Sequence, residues 1–169
     1  MRLRSVHSMA EYKVIDNFLP QEEFEKIRDV FLGRNLSWFY EDTVVHDGVV
    51  KDDFYLVHMV YDHTITSDYY QLLEPIIKKI DAKALMRIKA NMYPKTDVIH
   101  HHDRHTDLPY EHKGAIYYIN TNNGLTVLDD GTEIESVENR ILLFDASKEH
   151  NSTTCSDKKV RVNINFNYF

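Results

Sequence analysis

Hydrophobic residues recur at helical spacing in two stretches of the first half of the chain. In VIDNFLPQEEFEKIRDVFLG the apolar residues Phe24, Ile27 and Phe31 lie on one helical face, after a proline suited to a first turn. In SDYYQLLEPIIKKI a stripe of leucine and isoleucine is interrupted by a proline, which should kink or restart the helix. We therefore predict a short strand and a helix, followed by a second, broken helix.

From Ala84 onward apolar and polar residues alternate, which is typical of β-strands. Strands are predicted in LMRIKANMY, GAIYYIN, ENRILLFDA and KVRVNINFNYF, and a hairpin in LTVLDDGTEIES around Asp130-Gly131. Between the helices, TVVHDGVVKDDFYLVHMVY is predicted to form strand, turn and strand around Asp47-Gly48. Many short strands at close spacing favour a mainly β fold with N-terminal helices, such as an antiparallel sandwich or jelly roll.

The last predicted strand has two chemically distinct faces. Its apolar face carries Val160, Val162, Ile164 and Phe166, and its polar face carries Arg161, Asn163, Asn165 and Asn167. A surface sheet with one face in water explains such alternation. A polar face with no lysine or glutamate also suits a cavity inside a barrel, with the apolar face packed under helices. The sequence leaves both interpretations open.

Composition and charge narrow the class of protein. A chain of 169 residues, 43% of them hydrophobic, is sufficient for one globular domain, which we place at residues 1–169. The net charge is −7 and no run of basic residues is present, so nucleic acid is a poor partner. Cys155 is the single cysteine, which excludes an internal disulfide or a thiolate zinc cluster.

The same features predict where the protein works. A lone cysteine suits a reducing cytosol. The start, MRLRSVHSMAEYKV, lacks the apolar run of a secretory signal, and no stretch approaches the ~18 apolar residues of a membrane helix. We therefore expect a cytoplasmic protein without a membrane segment.

The stretch VIHHHDRHTDLP, residues 98–109, contains the spacing His-x-Asp twice. The pairs are His101 with Asp103 and His105 with Asp107. Residues two apart in an extended chain point the same way, so either pair aims an imidazole and a carboxylate at one point. A distant histidine would complete a 2-His-1-carboxylate triad with open coordination positions, the arrangement of non-haem Fe(II) oxygenases. Alone, the spacing is a weak signal in a chain with ten histidines.

Two residues further along the chain strengthen this interpretation. In ILLFDASKEHNSTT a hydrophobic strand ends in a loop that presents His150, a candidate third ligand. Arg161 follows on the polar face of the last strand. A buried arginine needs an anionic partner, and its guanidinium binds a carboxylate through two parallel hydrogen bonds.

These segments together resemble the Fe(II)- and 2-oxoglutarate-dependent oxygenases, in particular small prolyl 4-hydroxylase-like members of phages and bacteria. The resemblance covers almost the whole chain. It rests on segments in the family's order: YKVIDNFLPQEEFEKI, IKANMYP, HTD, AIYYIN, LLFDASKEH and VRVNINF. It implies a double-stranded β-helix (jelly roll), with helical and strand support over residues 1–83 and the jelly-roll core over residues 84–169.

The resemblance also implies the metal ligands. HTD at 105–107 is the better match to the family's iron motif, so the implied ligands of Fe(II) are His105, Asp107 and His150. The pair His101 and Asp103 is the alternative. The histidines at 100–102 otherwise indicate a mobile loop at the mouth of the cavity.

Further residues are implied around the metal. Arg161 would bind the distal carboxylate of 2-oxoglutarate, and Tyr93 and Tyr118 fall at positions where the family adds tyrosine hydroxyls. Each tyrosine is equally well explained as an ordinary core aromatic residue. Pocket-lining or substrate-contacting residues are expected at Asn163, Ile116 and His101.

The implied activity is hydroxylation of a C–H bond with Fe(II), 2-oxoglutarate and O2, with ascorbate as the reductant. A prolyl residue of a peptide or protein is the family's usual substrate, while other side chains and small molecules are chemically accessible. A cupin-like non-oxidative metalloprotein and a catalytically silent jelly-roll binding module are the alternatives. Arg161 argues against the first, and the intact set of candidate metal ligands argues against the second. The family often has a glycine pair, Gly-Gly or Gly-Glu, before the second half of the barrel, whereas this chain has a single Gly124 followed by Leu125. We therefore expect the pocket to differ in shape from the family's at this point.

Overall fold

The computed structural model describes residues 12–46, 48–50 and 53–169. Asp47 of the predicted turn, residues 51–52 after it and residues 1–11 therefore lie outside the described residues. The strands are β1 (Lys13–Ile15), β2 (Phe39–Glu41), β3 (Tyr55–Asp62), β4 (Leu85–Pro94), β5 (Lys113–Tyr118), β6 (Asn122–Val127), β7 (Glu133–Ser136), β8 (Arg140–Asp145), β9 (Asn151–Ser152) and β10 (Val160–Tyr168). The helices are α1 (Gln21–Phe31), a 3₁₀ helix (Tyr70–Leu73) and α2 (Glu74–Lys79).

The described strands form two antiparallel sheets. The larger sheet has the order β1-β8-β5-β10-β4-β3-β2, and the smaller one has the order β7-β6-β9. At the centre of the larger sheet, the neighbours β8, β5, β10 and β4 are not consecutive in sequence, which is the strand arrangement of a jelly roll. The predicted mainly β fold and jelly roll are confirmed.

The two helical segments cover the outer face of the larger sheet. Phe24, Ile27 and Phe31 of α1 are fully buried against sheet residues that include Ile164 and Phe166. Burial of each such side chain stabilises the fold by about 1.5–3 kcal/mol. In the second segment the chain changes from the 3₁₀ helix to α2 with its proline in the first turn of α2, so the proline restarts the helix as predicted.

The faces of β10 meet two different environments. Its apolar side chains belong to the core beneath the helices. Its polar side chains point toward the smaller sheet and are also buried: Arg161, Asn163, Asn165 and Asn167. The interpretation of a solvated polar face is wrong, because the smaller sheet covers this side of the strand.

The segment between α1 and β3 differs from the prediction. The strand that pairs with β3 is β2, in the register Phe39↔Val57, and the predicted strand just before Asp47 is not formed. The Asp53 carboxylate accepts hydrogen bonds from the Thr43 hydroxyl and the Val44 amide, and these bonds compete with strand pairing. Among the described residues, no helix is long and apolar enough to cross a membrane.

Candidate metal centre

Backbone pairing brings two distant histidines together at the mouth of the jelly roll. The amide of His105 donates to the carbonyl of His150, and the amide of His150 donates to the carbonyl of His105, both at 3.0 Å. The two imidazole rings lie side by side with their centroids 4.8 Å apart. An antiparallel bridge therefore sets the separation of the two candidate ligands.

The histidine rings are oriented by backbone carbonyls. Nδ1 of His105 lies 3.3 Å from the Asp103 carbonyl oxygen, and Nδ1 of His150 lies 3.0 Å from the Lys148 carbonyl oxygen. A carbonyl only accepts, so each Nδ1 carries the proton and each Nε2 presents a lone pair. Burial and the neighbouring His150 lower the pKa of His105, which favours the neutral form that binds metal.

Asp107, two residues after His105 in the loop between β4 and β5, completes the group. Its carboxylate oxygens lie 3.8 Å from Nε2 of His105 and 3.8 Å from Nε2 of His150. One potential ligand atom from each of the three residues lies within 4.8 Å of the others, and no other such group exists in the described part of the chain. Two imidazoles and a carboxylate on one side of a centre match a facial triad with open positions.

The Asp107 carboxylate is held by three side chains of the larger sheet. Oδ1 accepts from Arg87 Nη2 at 3.2 Å, and Oδ2 accepts from the amides of Asn165 at 3.1 Å and Asn167 at 2.8 Å. Burial raises its pKa, but His150, Arg87 and the two amides together outweigh burial and lower it to about 2. The carboxylate is therefore ionised and fixed in orientation, as a metal ligand should be.

Arg161 of β10 is completely buried on the same face of the strand as Asn165 and Asn167. Its guanidinium donates to the hydroxyls of Ser136 at 2.9 Å and Thr126 at 3.1 Å, and to the Thr153 carbonyl at 3.4 Å. Within the described ranges no carboxylate lies within ion-pair distance of it. A buried cation surrounded by neutral groups leaves room for an anionic ligand.

Tyr93 and Tyr118 both lie beside this guanidinium. The carbon at the centre of the Arg161 guanidinium is 5.3 Å from the ring centroid of Tyr93 and 6.0 Å from that of Tyr118. The Tyr118 hydroxyl donates to Thr126 at 2.8 Å. Burial raises the pKa of both phenols, although Arg161 partly opposes it, so both hydroxyls remain hydrogen-bond donors. The structure thus brings the three predicted cosubstrate residues together.

The absence of a side chain at Gly124 makes room for the Arg161 side chain. A Cβ atom at this position would lie 2.4 Å from Cδ of Arg161 and 2.8 Å from the Thr154 carbonyl oxygen. The single glycine therefore lets β6 approach the arginine, although the family's glycine pair is absent.

A small cavity of about 30 Å³ lies beside the triad. Its lining includes Tyr93, His105, Ile116, Thr126, His150 and Asn163. The predicted pocket residues Asn163 and Ile116 are thus part of it. Asn163 accepts a hydrogen bond from the Asn91 amide, and the side-chain oxygens of Asn91 and Asn165 are buried without a partner.

The first His-x-Asp pair is not part of this group. His101 is exposed and pairs through its backbone with Thr153. The Asp103 carboxylate accepts a hydrogen bond from the Val50 amide at 2.7 Å, which ties the 48–50 segment to this loop.

His102 differs from the expected loop of histidines at the cavity mouth. It is 4% exposed, stacks on Tyr93 with ring centroids 5.1 Å apart, and contacts the Ser152 hydroxyl through Nδ1. Burial and the charge of Arg161 lower its pKa to about 3, so it is a neutral side chain of the interior. The two preceding histidines, His100 and His101, are exposed, so the sequence gives no sign that His102 is buried.

Sequence reasoning also missed Arg87, Asn165 and Asn167 as partners of Asp107. The alternation of β10 was the signal for the asparagines, since it placed them on the face of Arg161. For Arg87 the sequence offers no comparable signal, because an arginine in a strand is usually on the surface.

Comparison with solved structures identifies the fold. A prolyl hydroxylase from Trichoplax adhaerens, in complex with a hypoxia inducible factor peptide fragment, superposes with a TM-score of 0.68 and 14% identity, covering 95% of this chain and 84% of that chain. A 2OG-Fe(II) oxygenase family oxidoreductase from Burkholderia pseudomallei gives a TM-score of 0.70 and 11% identity, covering 93% and 84%.

A viral collagen prolyl hydroxylase from Paramecium Bursaria Chlorella virus-1, in a 2OG complex, gives a TM-score of 0.63 and 12% identity, covering 92% of this chain and 94% of that chain. No protein-family model and no curated protein matches the sequence. The fold is that of the Fe(II)/2-oxoglutarate oxygenases, prolyl hydroxylases among them.

Proposed function

We propose that the protein is an Fe(II)- and 2-oxoglutarate-dependent dioxygenase that hydroxylates a C–H bond. One observation carries the proposal: the His105, Asp107 and His150 group borders a cavity whose other wall, at Tyr93 and Thr126, contacts Arg161, a buried cation that has no carboxylate partner among the described residues. A zinc hydrolase or a cupin-like metalloprotein needs the metal group but has no need of this arginine.

The residues of the chain divide the work between them. Nε2 of His105, Nε2 of His150 and the Asp107 carboxylate would hold Fe(II), since a 2-His-1-carboxylate set suits this ion. When bound, the metal and 2-oxoglutarate supply O2 activation, with oxidative decarboxylation of the cosubstrate to succinate and CO2. Arg87, Asn165 and Asn167 keep the carboxylate ligand ionised and oriented.

The arginine end binds and orients the cosubstrate. The guanidinium of Arg161 pairs with the distal carboxylate, and the hydroxyls of Tyr93, Tyr118 and Thr126 lie around it as donors. Arg161 and Asn165 are four residues apart on β10, so the anion site and the Asp107 partner are separated by roughly 13 Å along the strand. Asn163 and Ile116 line the space between them.

For the primary substrate we propose a prolyl residue of a peptide or protein. Support comes from the likeness to prolyl hydroxylases, one of which was solved with a peptide. An open groove is lined by residues such as Phe39, Val57 and Met59, and Val57 is paired in register with Asn91 of the cavity lining.

The test is formation of succinate from 2-oxoglutarate with Fe(II), O2 and ascorbate, in the presence of prolyl peptides. His150→Ala should abolish succinate formation, because the triad loses a ligand. Arg161→Leu should weaken 2-oxoglutarate binding about tenfold or more, because a charged hydrogen-bonded pair is lost.

Arg34→Ala, at an exposed arginine just after α1, is the matched control and should behave like the wild type. Wild-type protein that binds metal without consuming 2-oxoglutarate would favour a non-oxidative metalloprotein. Normal 2-oxoglutarate affinity in Arg161→Leu would contradict the role given to the arginine.

A further inference from the structure

A half-buried cation, Lys89, lies on the side of β4 that faces the metal centre. It lies directly opposite Asn165 of β10 in the strand register, and residues paired in this way share one face of the sheet. Asn165 lines the cavity and binds the Asp107 carboxylate. The stem of Lys89 therefore starts beside the metal centre.

The ammonium group of Lys89 has a neutral partner. It donates to the Tyr55 hydroxyl at 3.1 Å and lies 5.4 Å from the centroid of the Tyr55 ring. No carboxylate of the described residues lies within ion-pair distance of it. Burial, followed by the charge of Arg87, lowers its pKa to about 8, so it remains largely protonated at neutral pH.

In the sheet register Lys89 lies between Asn165, which lines the metal cavity, and the residues of β3 that line the groove. On its other side it is paired in register with Met59 of β3, which lines the open groove together with Val57 and Glu41. A molecule in the groove that extends toward the metal therefore passes the ammonium group.

The charge balance of the cavity favours an anion here. The cavity face carries three cations, Arg87, Lys89 and Arg161, against the one carboxylate of Asp107. A divalent metal ion and the dianion 2-oxoglutarate cancel each other, so the excess of two positive charges persists in the loaded protein. Glu41 at the groove offsets one of them at most. An uncompensated charge in a partly buried site is costly, and an anionic ligand relieves that cost.

We propose that Lys89 binds a carboxylate of the primary substrate at the junction of the groove and the metal cavity. This inference rests on the proposed function for its charge balance and names the substrate class of that site. The carboxylate comes either from an acidic side chain next to the reacting residue of a peptide or from the main-chain carboxylate of a small amino acid derivative.

The test uses matched acid and amide probes on protein loaded with Mn(II) and 2-oxoglutarate, so that no turnover is needed. N-acetyl-glutamate N-methylamide is compared with N-acetyl-glutamine N-methylamide for the side-chain source, and N-acetyl-alanine with its N-methylamide for the main-chain source. Titration calorimetry or NMR should show at least one acid binding about tenfold more tightly than its amide.

Lys89→Met should remove this preference, and Lys89→Arg should largely retain it. Lys95→Met is the matched control, since Lys95 follows the same strand but is exposed. Lys89→Gln replaces the methionine variant if the latter does not fold. Equal binding of acids and amides by the wild type, absence of binding by all four probes, or a preference that survives in Lys89→Met overturns the inference.

Two further results separate this inference from the proposed function. The affinity for 2-oxoglutarate should stay within about threefold of the wild type in Lys89→Met, whereas a loss as large as that in Arg161→Leu would assign Lys89 to the cosubstrate and overturn the inference. If the wild type failed to bind 2-oxoglutarate at all, the proposed function would fail. The four probes on Mn(II)-loaded protein would still measure the role of Lys89.

Discussion

The loop between β4 and β5 contains two His-x-Asp pairs with identical local spacing and opposite environments. His105 and Asp107 lie at the mouth of the jelly roll, where the side chain of Asp107 is 4% exposed and is bound by Arg87 and two amides. His101 is exposed, and Asp103 binds the backbone of Val50. The pair at 101 and 103 is a structural contact of the loop, and the pair at 105 and 107 faces His150.

The difference between the pairs comes from their distant partners. His105 is bridged by backbone hydrogen bonds to His150, 45 positions later in the sequence. Asp107 meets the polar face of β10. A His-x-Asp spacing gives two side chains a common direction, but only the sheet on the other side of the cavity decides whether that direction leads to a third ligand.

The sharpest test of this comparison is alanine substitution of the two histidines. His105→Ala should lower metal affinity and Fe(II)-dependent succinate formation by about a hundredfold or more, because it removes a direct ligand. His101→Ala should leave both within about twofold of the wild type. Metal titration and single-time-point succinate assays are sufficient to measure these effects.

The aspartates provide the matched control. Asp103→Ala should cost about 1 kcal/mol of unfolding free energy through the lost bond to Val50 and should leave metal affinity unchanged. A larger loss of metal binding in the variants at 101 and 103 than in those at 105 and 107 would reverse the assignment of the pair.

The orienting asparagines should have the next largest effect. Asn167→Ala removes a 2.8 Å hydrogen bond to Oδ2 of Asp107 and an acceptor for Arg87, and metal affinity should fall about tenfold to a hundredfold. Asn163→Ala changes the same face of the same strand but does not touch Asp107, so its metal affinity should stay close to the wild type. Equal losses in both variants would mean that the strand face acts through general polarity alone.

Much of the fold was predictable because its signals are local. The alternation in β10 and the helical stripe of α1 depend on residues within one element, and both were read correctly from the sequence. The strand expected before Asp47 was wrong, because side chains of the connecting segment, such as Asp53, bind its backbone instead. Such competition has no periodic signal.

The site was predictable to a smaller extent. The sequence offered His105, Asp107, His150 and Arg161 as candidates through spacing and family resemblance. Lys89 and Arg87 were hidden in LMRIKANMY as the polar half of an alternating strand, a pattern that usually faces water. Which polar face is covered depends on the smaller sheet, and its strand β9 has only two residues, too few for a pattern.

A further prediction concerns the acid stability of the metal-free protein. The folded-state pKa of Asp107 is about 2, below the ordinary value of 3.8, so its ionised form stabilises the fold at pH above about 4. This contribution, about 2 kcal/mol in total, should be lost as the pH falls toward 2, with roughly half of it gone by pH 3. Asp107→Asn lacks the titrating group, so the difference in urea-unfolding free energy between wild type and variant should shrink between pH 5 and pH 3. A difference that stays constant over this range would show that the carboxylate gains nothing from Arg87 and the two asparagines in the folded state, and the contrast with the other pair would lose its electrostatic basis.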